Sequence, residues 1–144
     1  MNPFRSLRDY EIFVYTLPQQ YPRIVLSTLT VIRRGKYRAE VMGDLLFLAG
    51  IRLSVYEHLI WDDRAVEIAG YSYEVWCGSE KLYWYDSQPH PNDPALAATD
   101  PHHKHIPPDI KHHRVPAHDL SFTRPNLPFL IEEIERTVLG QLQK

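Results

Sequence analysis

The stretch Val66–Cys77 (VEIAGYSYEVWC), followed by Gly78–Glu80 (GSE) and Lys81–Tyr85 (KLYWY), decides the predicted fold. Its β-branched and aromatic residues favour extended strands, and its glycine favours a tight turn. The pattern therefore predicts two strands joined by a turn. Side chains alternate between the two faces of a strand, so Tyr71 and Tyr73 are expected on one face.

Similar segments precede this hairpin. Three further strands are predicted at Arg23–Ile32, Tyr37–Phe47 and Ile51–Ile60. The turns that follow them are Arg34-Gly35-Lys36, Leu48-Ala49-Gly50 and Asp62-Asp63-Arg64. Because these connections leave no room for helical crossovers, the five strands of residues 23–86 are expected to form an antiparallel meander.

Two helices are predicted outside the sheet. Residues 7–17 carry apolar side chains at a spacing of three and four, and residues 128–142 do the same behind Pro128. Between sheet and second helix, residues 87–125 are rich in proline and histidine and predict a long loop over a face or edge of the sheet. The expected fold class is α+β, in a single domain spanning residues 1–144.

Composition narrows the class of protein. The hydrophobic share of 44% and the charged share of 24% are ordinary for a globular protein. Cys77 is the single cysteine, which excludes an internal disulfide and a cysteine-based zinc cage. No segment has the roughly 18 apolar residues of a membrane span. The polar start Met1–Arg8 does not resemble a secretory signal, so a cytoplasmic location is expected.

Histidines are concentrated in the proline-rich segment. Seven of the eight lie between His90 and His118, and three of them belong to Pro101-His102-His103-Lys104-His105. Histidine titrates near neutral pH, so such a cluster can move protons, bind a metal or carry positive charge toward a phosphate.

His103 and His105 are two residues apart, so in an extended segment they project to one side and Lys104 to the other. Two imidazoles with a third ligand could hold a zinc ion. Metal-free ribonucleolytic chemistry also fits, with one histidine removing the proton of a ribose hydroxyl and another protonating the leaving oxygen. The spacing favours neither alternative.

Acidic and phenolic residues of the meander could complete this site. Asp86 ends the last predicted strand four residues before His90, and its carboxylate could orient a histidine or simply cap a local turn. Glu57, Tyr73 and Asp86 could share the sheet face or edge beneath the loop if their strands are neighbours. Alternatively, Tyr73 is an ordinary half-buried strand residue.

The chain resembles the TumE family, which comprises toxins of prokaryotic type II toxin-antitoxin systems, over roughly residues 20–140. The motifs that carry the resemblance are Leu53-x-x-x-Glu57, Tyr71-Ser72-Tyr73, Tyr85-Asp86-x-x-Pro89-His90 and Pro101-His102-His103-Lys104-His105. The resemblance implies a toxin whose partner is a small helix-turn-helix antitoxin, and it suggests that RNA is the substrate.

The chain departs from the family pattern at three positions. The family has Arg-Tyr-Asp-Asn-x-Pro-His-His where this chain has Trp84, Ser87 and Pro91. An arginine that could neutralise phosphate is thus replaced. Lys104 or Arg52 would have to supply that positive charge.

Three hypotheses follow. The first is a toxin that acts as a metal-independent ribonuclease. Its site residues are His103 and His105 for acid–base catalysis, Lys104 for phosphate, and Asp86, His90, Glu57 and Tyr73 for orientation. The second is a nuclease or phosphotransfer enzyme with a divalent metal at the same histidines. The third is a non-enzymatic binding protein with a degenerate site. No cofactor is expected under the first hypothesis, and a homodimer is left open.

Overall fold

The sheet contains more strands than the sequence predicts. The computed structural model describes residues 2–87, 101–110 and 113–140. The strands are β1 (Leu26–Ser27), β2 (Thr30–Gly35), β3 (Arg38–Leu46), β4 (Ile51–Trp61), β5 (Val66–Cys77), β6 (Glu80–Asp86), β7 (His103–His105) and β8 (Arg114–Pro116). They form one antiparallel sheet in the order β1-β3-β4-β5-β6-β7-β8, and β2 also pairs with β3. The α+β class is confirmed, while the expected number of five strands is wrong.

One additional strand arises because the first predicted strand is split into β1 and β2. Between them the backbone at Thr28 passes directly over Gly43 of β3. A Cβ atom on Gly43 would lie 2.5 Å from the carbonyl oxygen of Thr28, and the residue has a φ of +133°. Only glycine meets both conditions without strain, so Gly43 permits the break.

The other two strands come from the segment predicted as a loop. The tripeptide His103–His105 lies between two prolines but contains none, so its backbone can pair with β6 as β7. β8 pairs with the edge of β7 that points away from β6, and it ends at Pro116. Proline is tolerated there because an edge strand need not donate a hydrogen bond outward.

The helices differ from prediction mainly at their ends. α1 covers Leu7–Tyr15 and is capped by the Ser6 hydroxyl, which accepts a hydrogen bond from the Asp9 amide. A separate turn, α2 (Leu17–Gln20), follows and holds a proline in its first turn, where a missing N–H costs nothing. α3 covers Leu127–Glu133, and a π-helix over Ile134–Leu139 continues it. The predicted end at residue 142 lies outside the described residues.

The two faces of the sheet have different environments. α1 and α3 cover one face, here called the core face, because their residues Tyr10 and Glu133 bond to strand side chains there. Directly paired residues of antiparallel strands share a face. One row of the core face is therefore Val55, Tyr73, Tyr85 and Lys104. The opposite side is here called the outer face, and one of its rows is Ser54, Glu74, Trp84, His105 and Arg114.

Candidate functional site

The register of β6 and β7 brings Asp86 and two histidines together on the outer face. Asp86 lies directly opposite His103, and Trp84 lies directly opposite His105. Both histidines therefore project to the side of the sheet that carries Asp86, as their spacing of two residues predicts.

The three side chains form a cluster, here called the Asp–His cluster, in which one carboxylate faces two imidazoles. Asp86 Oδ1 lies 2.5 Å from His103 Nε2, and Asp86 Oδ2 lies 3.4 Å from His105 Nε2. The two rings are 4.9 Å apart between centroids and inclined at 67°. His103 is fully buried and His105 is 4% exposed, whereas the Asp86 side chain is 18% exposed. Asp86 is thus the part of the cluster that is most accessible to solvent.

The surroundings of His105 favour its neutral form. Burial lowers the pKa of His105 below its ordinary value of 6.5, the Asp86 carboxylate opposes this, and the charges of His103 and Arg114 lower the pKa further. The Trp84 ring lies 4.3 Å from the His105 ring, and its Nε1 donates a hydrogen bond to the carbonyl of Ile110 at 3.3 Å. At neutral pH this imidazole therefore has a lone pair that can take up a proton or bind a metal.

Cations stacked on indole rings extend from the cluster along the outer face. The Lys81 ammonium lies 4.2 Å from the centre of a Trp84 ring and 5.2 Å from that of Trp76, over which Arg52 lies at 5.2 Å. Each cation also has an acidic neighbour, Glu74 at 2.7 Å from Lys81 and Asp44 at 4.0 Å from Arg52. Flat rings and cations in alternation are the elements with which proteins bind single-stranded nucleic acid.

The sequence matches the model of a known protein family. The model of a family described as Toxin TumE matches residues 15–138, which include all of the Asp–His cluster. The chain belongs to the TumE toxin family. Membership in a toxin family implies an antitoxin partner. No curated protein and no solved structure matches the chain. In the described part of the chain, no helix has the length and apolar character needed to span a membrane.

In this TumE-family chain, Glu57 and Tyr73 lie on the core face, away from the cluster. The hydroxyls of Tyr10 and Tyr73 each donate a hydrogen bond of 2.5 Å to the Glu57 carboxylate, and all three residues are fully buried. Burial raises the pKa of Glu57, and the two hydrogen bonds oppose that rise. The expectation that Glu57 and Tyr73 share a face with Asp86 is wrong, because alternation along β5 and β6 separates them. A catalytic role for either residue stays a prediction.

Lys104 also projects to the core face. Its ammonium lies 3.2 Å from Glu133 of α3 and 4.4 Å from the centre of the Tyr83 ring. The Tyr85 hydroxyl donates to the same Glu133 carboxylate at 2.8 Å. Lys104 therefore joins β7 to α3, and the structure does not bring it to the Asp–His cluster as a phosphate ligand.

His102, the first histidine of Pro101-His102-His103-Lys104-His105, is packed among aromatic rings. The Tyr71 hydroxyl lies 2.6 Å from His102 Nδ1, and the two rings are stacked with centroids 5.6 Å apart. Burial lowers the pKa of His102, and the charge of His103 lowers it further. His102 thus fixes the start of β7 against the core face.

Two of the three positions at which the chain departs from the TumE pattern, Trp84 and Ser87, lie within the described residues. Trp84 lies beside His105, where the family arginine would stand on the outer face. Ser87 is buried, and its hydroxyl accepts a hydrogen bond from the Tyr71 amide at 3.0 Å. His90 and Pro91 lie outside the described residues, so the predicted role of His90 stays a prediction.

Sequence reasoning missed Lys81, Arg114 and Trp84 as neighbours of the site. Strand alternation could have found Trp84, which lies two residues before Asp86 and therefore shares its face. Arg114 becomes a neighbour of His105 only through the pairing of β7 with β8, which the loop prediction did not contain.

Proposed function

We propose that this toxin cleaves RNA and that the Asp–His cluster carries the reaction. The observation that supports the proposal most is the Asp86 carboxylate facing both imidazoles, at 2.5 Å from His103 and 3.4 Å from His105. A carboxylate against a histidine fixes the orientation of the ring, which acid–base catalysis requires.

The chemistry is a transesterification with two proton transfers. His105, whose neutral form is favoured by burial, removes the proton of the ribose 2′-hydroxyl. The 2′-oxygen then attacks the phosphorus, and the bond from phosphorus to the 5′-oxygen breaks as His103 gives that oxygen a proton. The products are a 2′,3′-cyclic phosphate and a 5′-hydroxyl end. The cluster is thereby left with the proton on His105.

Two cationic side chains lie on the same face, and one of them, Lys81, is paired with Glu74 at 2.7 Å. Arg114 lies opposite His105 in the register of β7 and β8, and Lys81 lies over the Trp84 ring that contacts His105. Cations near a transferring phosphoryl group stabilise the charge that develops there. These two residues take the role that the sequence assigned to Lys104, and Trp84 supplies a surface on which a base can stack.

RNA must reach imidazoles that are buried. The cluster lies where β6 meets β7, and among the described strands β8 is the one beyond β7 at that edge of the sheet. β7 and β8 have three residues each, so few hydrogen bonds hold this edge. Short edge elements open at lower free energy than central strands do, and we propose that β8 opens transiently to admit RNA and then pairs again, which returns Arg114 to its place opposite His105.

Purified protein incubated with a defined RNA in the presence of a chelator tests the proposal. We expect cleavage products with 2′,3′-cyclic phosphate ends. Replacement of both histidines, His103→Gln with His105→Gln, should lower the rate at least about 100-fold. The matched control is His118→Ala, because His118 is an exposed histidine of the same segment.

Three results would argue for other functions. Cleavage by the double variant at the wild-type rate would remove the cluster from the reaction. Loss of cleavage on chelation with recovery on adding a divalent metal would favour a metal-dependent nuclease. Growth arrest in cells without any RNA cleavage would favour a binding protein.

The proposal extends to the partner and the cellular location. We infer that the antitoxin is a small helix-turn-helix DNA-binding protein encoded by a neighbouring gene, and that the pair meets in the cytoplasm. Support comes from the toxin family to which the chain belongs. Co-expression with the neighbouring open reading frame should restore growth and allow the two proteins to be purified as one complex. Toxicity that persists with the neighbour expressed would contradict the inference.

A further inference from the structure

The Asp–His cluster has the donor set of a metal site. Asp86, His103 and His105 each offer one donor atom, and these three atoms lie within 4.8 Å of one another. Two imidazoles and one carboxylate with positions left open on one side form a recognised ligand set for first-row transition metals. Mg²⁺ and Ca²⁺, in contrast, prefer oxygen ligands.

The two distances between carboxylate and imidazoles are compatible with a small ion after the carboxylate rotates. With zinc–ligand bonds of about 2.0–2.1 Å in tetrahedral geometry, neighbouring donor atoms lie roughly 3.4 Å apart. Asp86 Oδ2 and His105 Nε2 are already 3.4 Å apart. Asp86 Oδ1 and His103 Nε2 are closer, at 2.5 Å, so the carboxylate must turn away from His103 to admit an ion. The backbone pairing of β6 with β7 can stay unchanged during that rotation.

His105 supplies an independent indication of a ligand. The residue is 4% exposed, and its Nε2 lies 3.4 Å from Asp86 Oδ2, but neither ring nitrogen makes a hydrogen bond of acceptable geometry to the described part of the chain. Buried polar side chains nearly always have a partner. An ion bound between His105 and Asp86 would be such a partner.

We propose that Asp86, His103 and His105 bind one divalent transition-metal ion, with Zn²⁺ as the representative ion. Three protein ligands leave a fourth position for water or for a phosphate oxygen. The consequence for catalysis rests on the proposed function: a bound ion would replace the contacts of Asp86 with both Nε2 atoms that orient the imidazoles, so Zn²⁺ should inhibit RNA cleavage.

Binding is tested on the full chain after dialysis against a chelator. Titration with Zn²⁺ by isothermal calorimetry should show one ion per chain, and titration with Co²⁺ should give the visible absorption of a tetrahedral complex. Binding should release protons, since the ligands must be deprotonated. The variants Asp86→Asn and His105→Gln should weaken binding at least about tenfold. His118→Ala should bind as the wild type does.

Absence of Zn²⁺ and Co²⁺ binding by folded wild-type protein would overturn the inference, as would unchanged affinity in folded Asp86→Asn protein. Circular dichroism shows whether each variant is folded. If His105→Gln does not fold, the affinity of Asp86→Asn alone decides the test. Zn²⁺ binding by a protein that never cleaves RNA would support the metal site and refute the proposed function. RNA cleavage by a protein that does not bind the ions would support the proposed function and refute the metal site. Stimulation of cleavage by bound Zn²⁺ would support the site and refute the metal-free chemistry.

Discussion

Asp86 and His103 face each other across β6 and β7, with the carboxylate oxygen 2.5 Å from the imidazole nitrogen. Although Asp86 is only four residues before His90, its contact in the described structure is with a histidine 17 positions further along the chain. The strand pairing that creates this contact makes the carboxylate, as well as the imidazoles, a target for mutagenesis.

Asp86→Asn should abolish most RNA cleavage and leave the fold intact. The amide is nearly the same size as the carboxylate but carries no charge to orient the His103 ring, so we expect a rate about 100-fold lower. Single-turnover cleavage and thermal melting measure the two effects. Asp119→Asn changes an exposed aspartate and serves as the control. A wild-type rate in a folded Asp86→Asn protein would contradict the prediction.

Lys81→Met and Lys104→Met should have different effects, because the two lysines lie on opposite faces. Loss of Lys81 should weaken RNA binding and reduce the slope of log affinity against log salt by about 0.7. Loss of Lys104 should instead lower stability, because the lysine contacts Glu133 and the Tyr83 ring. Binding titrations at several salt concentrations and urea unfolding test both variants. Reduced RNA affinity in stably folded Lys104→Met protein, with none in Lys81→Met, would contradict the assignment.

Glu57→Ala should destabilise the protein whether or not RNA is bound. The substitution removes the acceptor of two buried tyrosine hydroxyls, and we expect a loss of about 2–4 kcal/mol in the free energy of unfolding. Urea unfolding of the variant measures the loss. If Glu57→Ala kept its stability but lost RNA cleavage, Glu57 would have a catalytic role.

Glu57→Gln separates the effect of the charge from that of the hydrogen bonds. Burial raises the pKa of Glu57 above its ordinary value of 4.5, so the folded state binds the proton more tightly than the unfolded state. The stability that this proton contributes is present at low pH and is lost as the pH rises through the raised pKa. Stability of the wild type relative to Glu57→Gln should therefore fall as the pH rises above 4.5 and through the raised pKa. A difference that is independent of pH over this range would be inconsistent with the raised pKa.

Gly43→Ala should destabilise the sheet by at least about 2 kcal/mol. A Cβ atom at this position would meet the Thr28 carbonyl oxygen at 2.5 Å, and a φ of +133° disfavours any side chain. Gly35→Ala is the matched control, because a Cβ atom there meets nothing within 4 Å. Urea unfolding of the two variants should rank Gly43→Ala as clearly the less stable, and equal stability would contradict the explanation of the split strand.

Local patterns in the sequence were sufficient for most of the sheet. Alternation along residues 66–85 predicted the central hairpin, and the spacing of His103 and His105 predicted that they project opposite to Lys104. Both inferences depend only on neighbouring residues and on the two-residue period of a strand. The same period also separates Tyr73 from Asp86, but that requires the register between β5 and β6, in which Tyr73 pairs with Tyr85.

Contacts between distant segments could not be predicted. The partner of Glu57 is Tyr10, which is 47 positions away in a helix whose docking no local pattern fixes. The pairing of His103 with Asp86 likewise requires the chain to return to the edge of β6 after residues 88–100. A three-residue strand has too few positions to display a periodic pattern, so β7 and β8 were hidden within the loop prediction.

The tripeptide His103–His105 joins the two faces of the sheet mechanically. Its central lysine is tied to the C-terminal helix through Glu133, while its outer two residues hold Asp86 on the opposite side. A rotation or sliding of that helix would displace Lys104 through its contact with Glu133. Because the three residues are consecutive in one strand, the displacement would also turn both imidazoles relative to the carboxylate. The precision of the cluster therefore depends on the packing of a helix on the opposite face of the sheet.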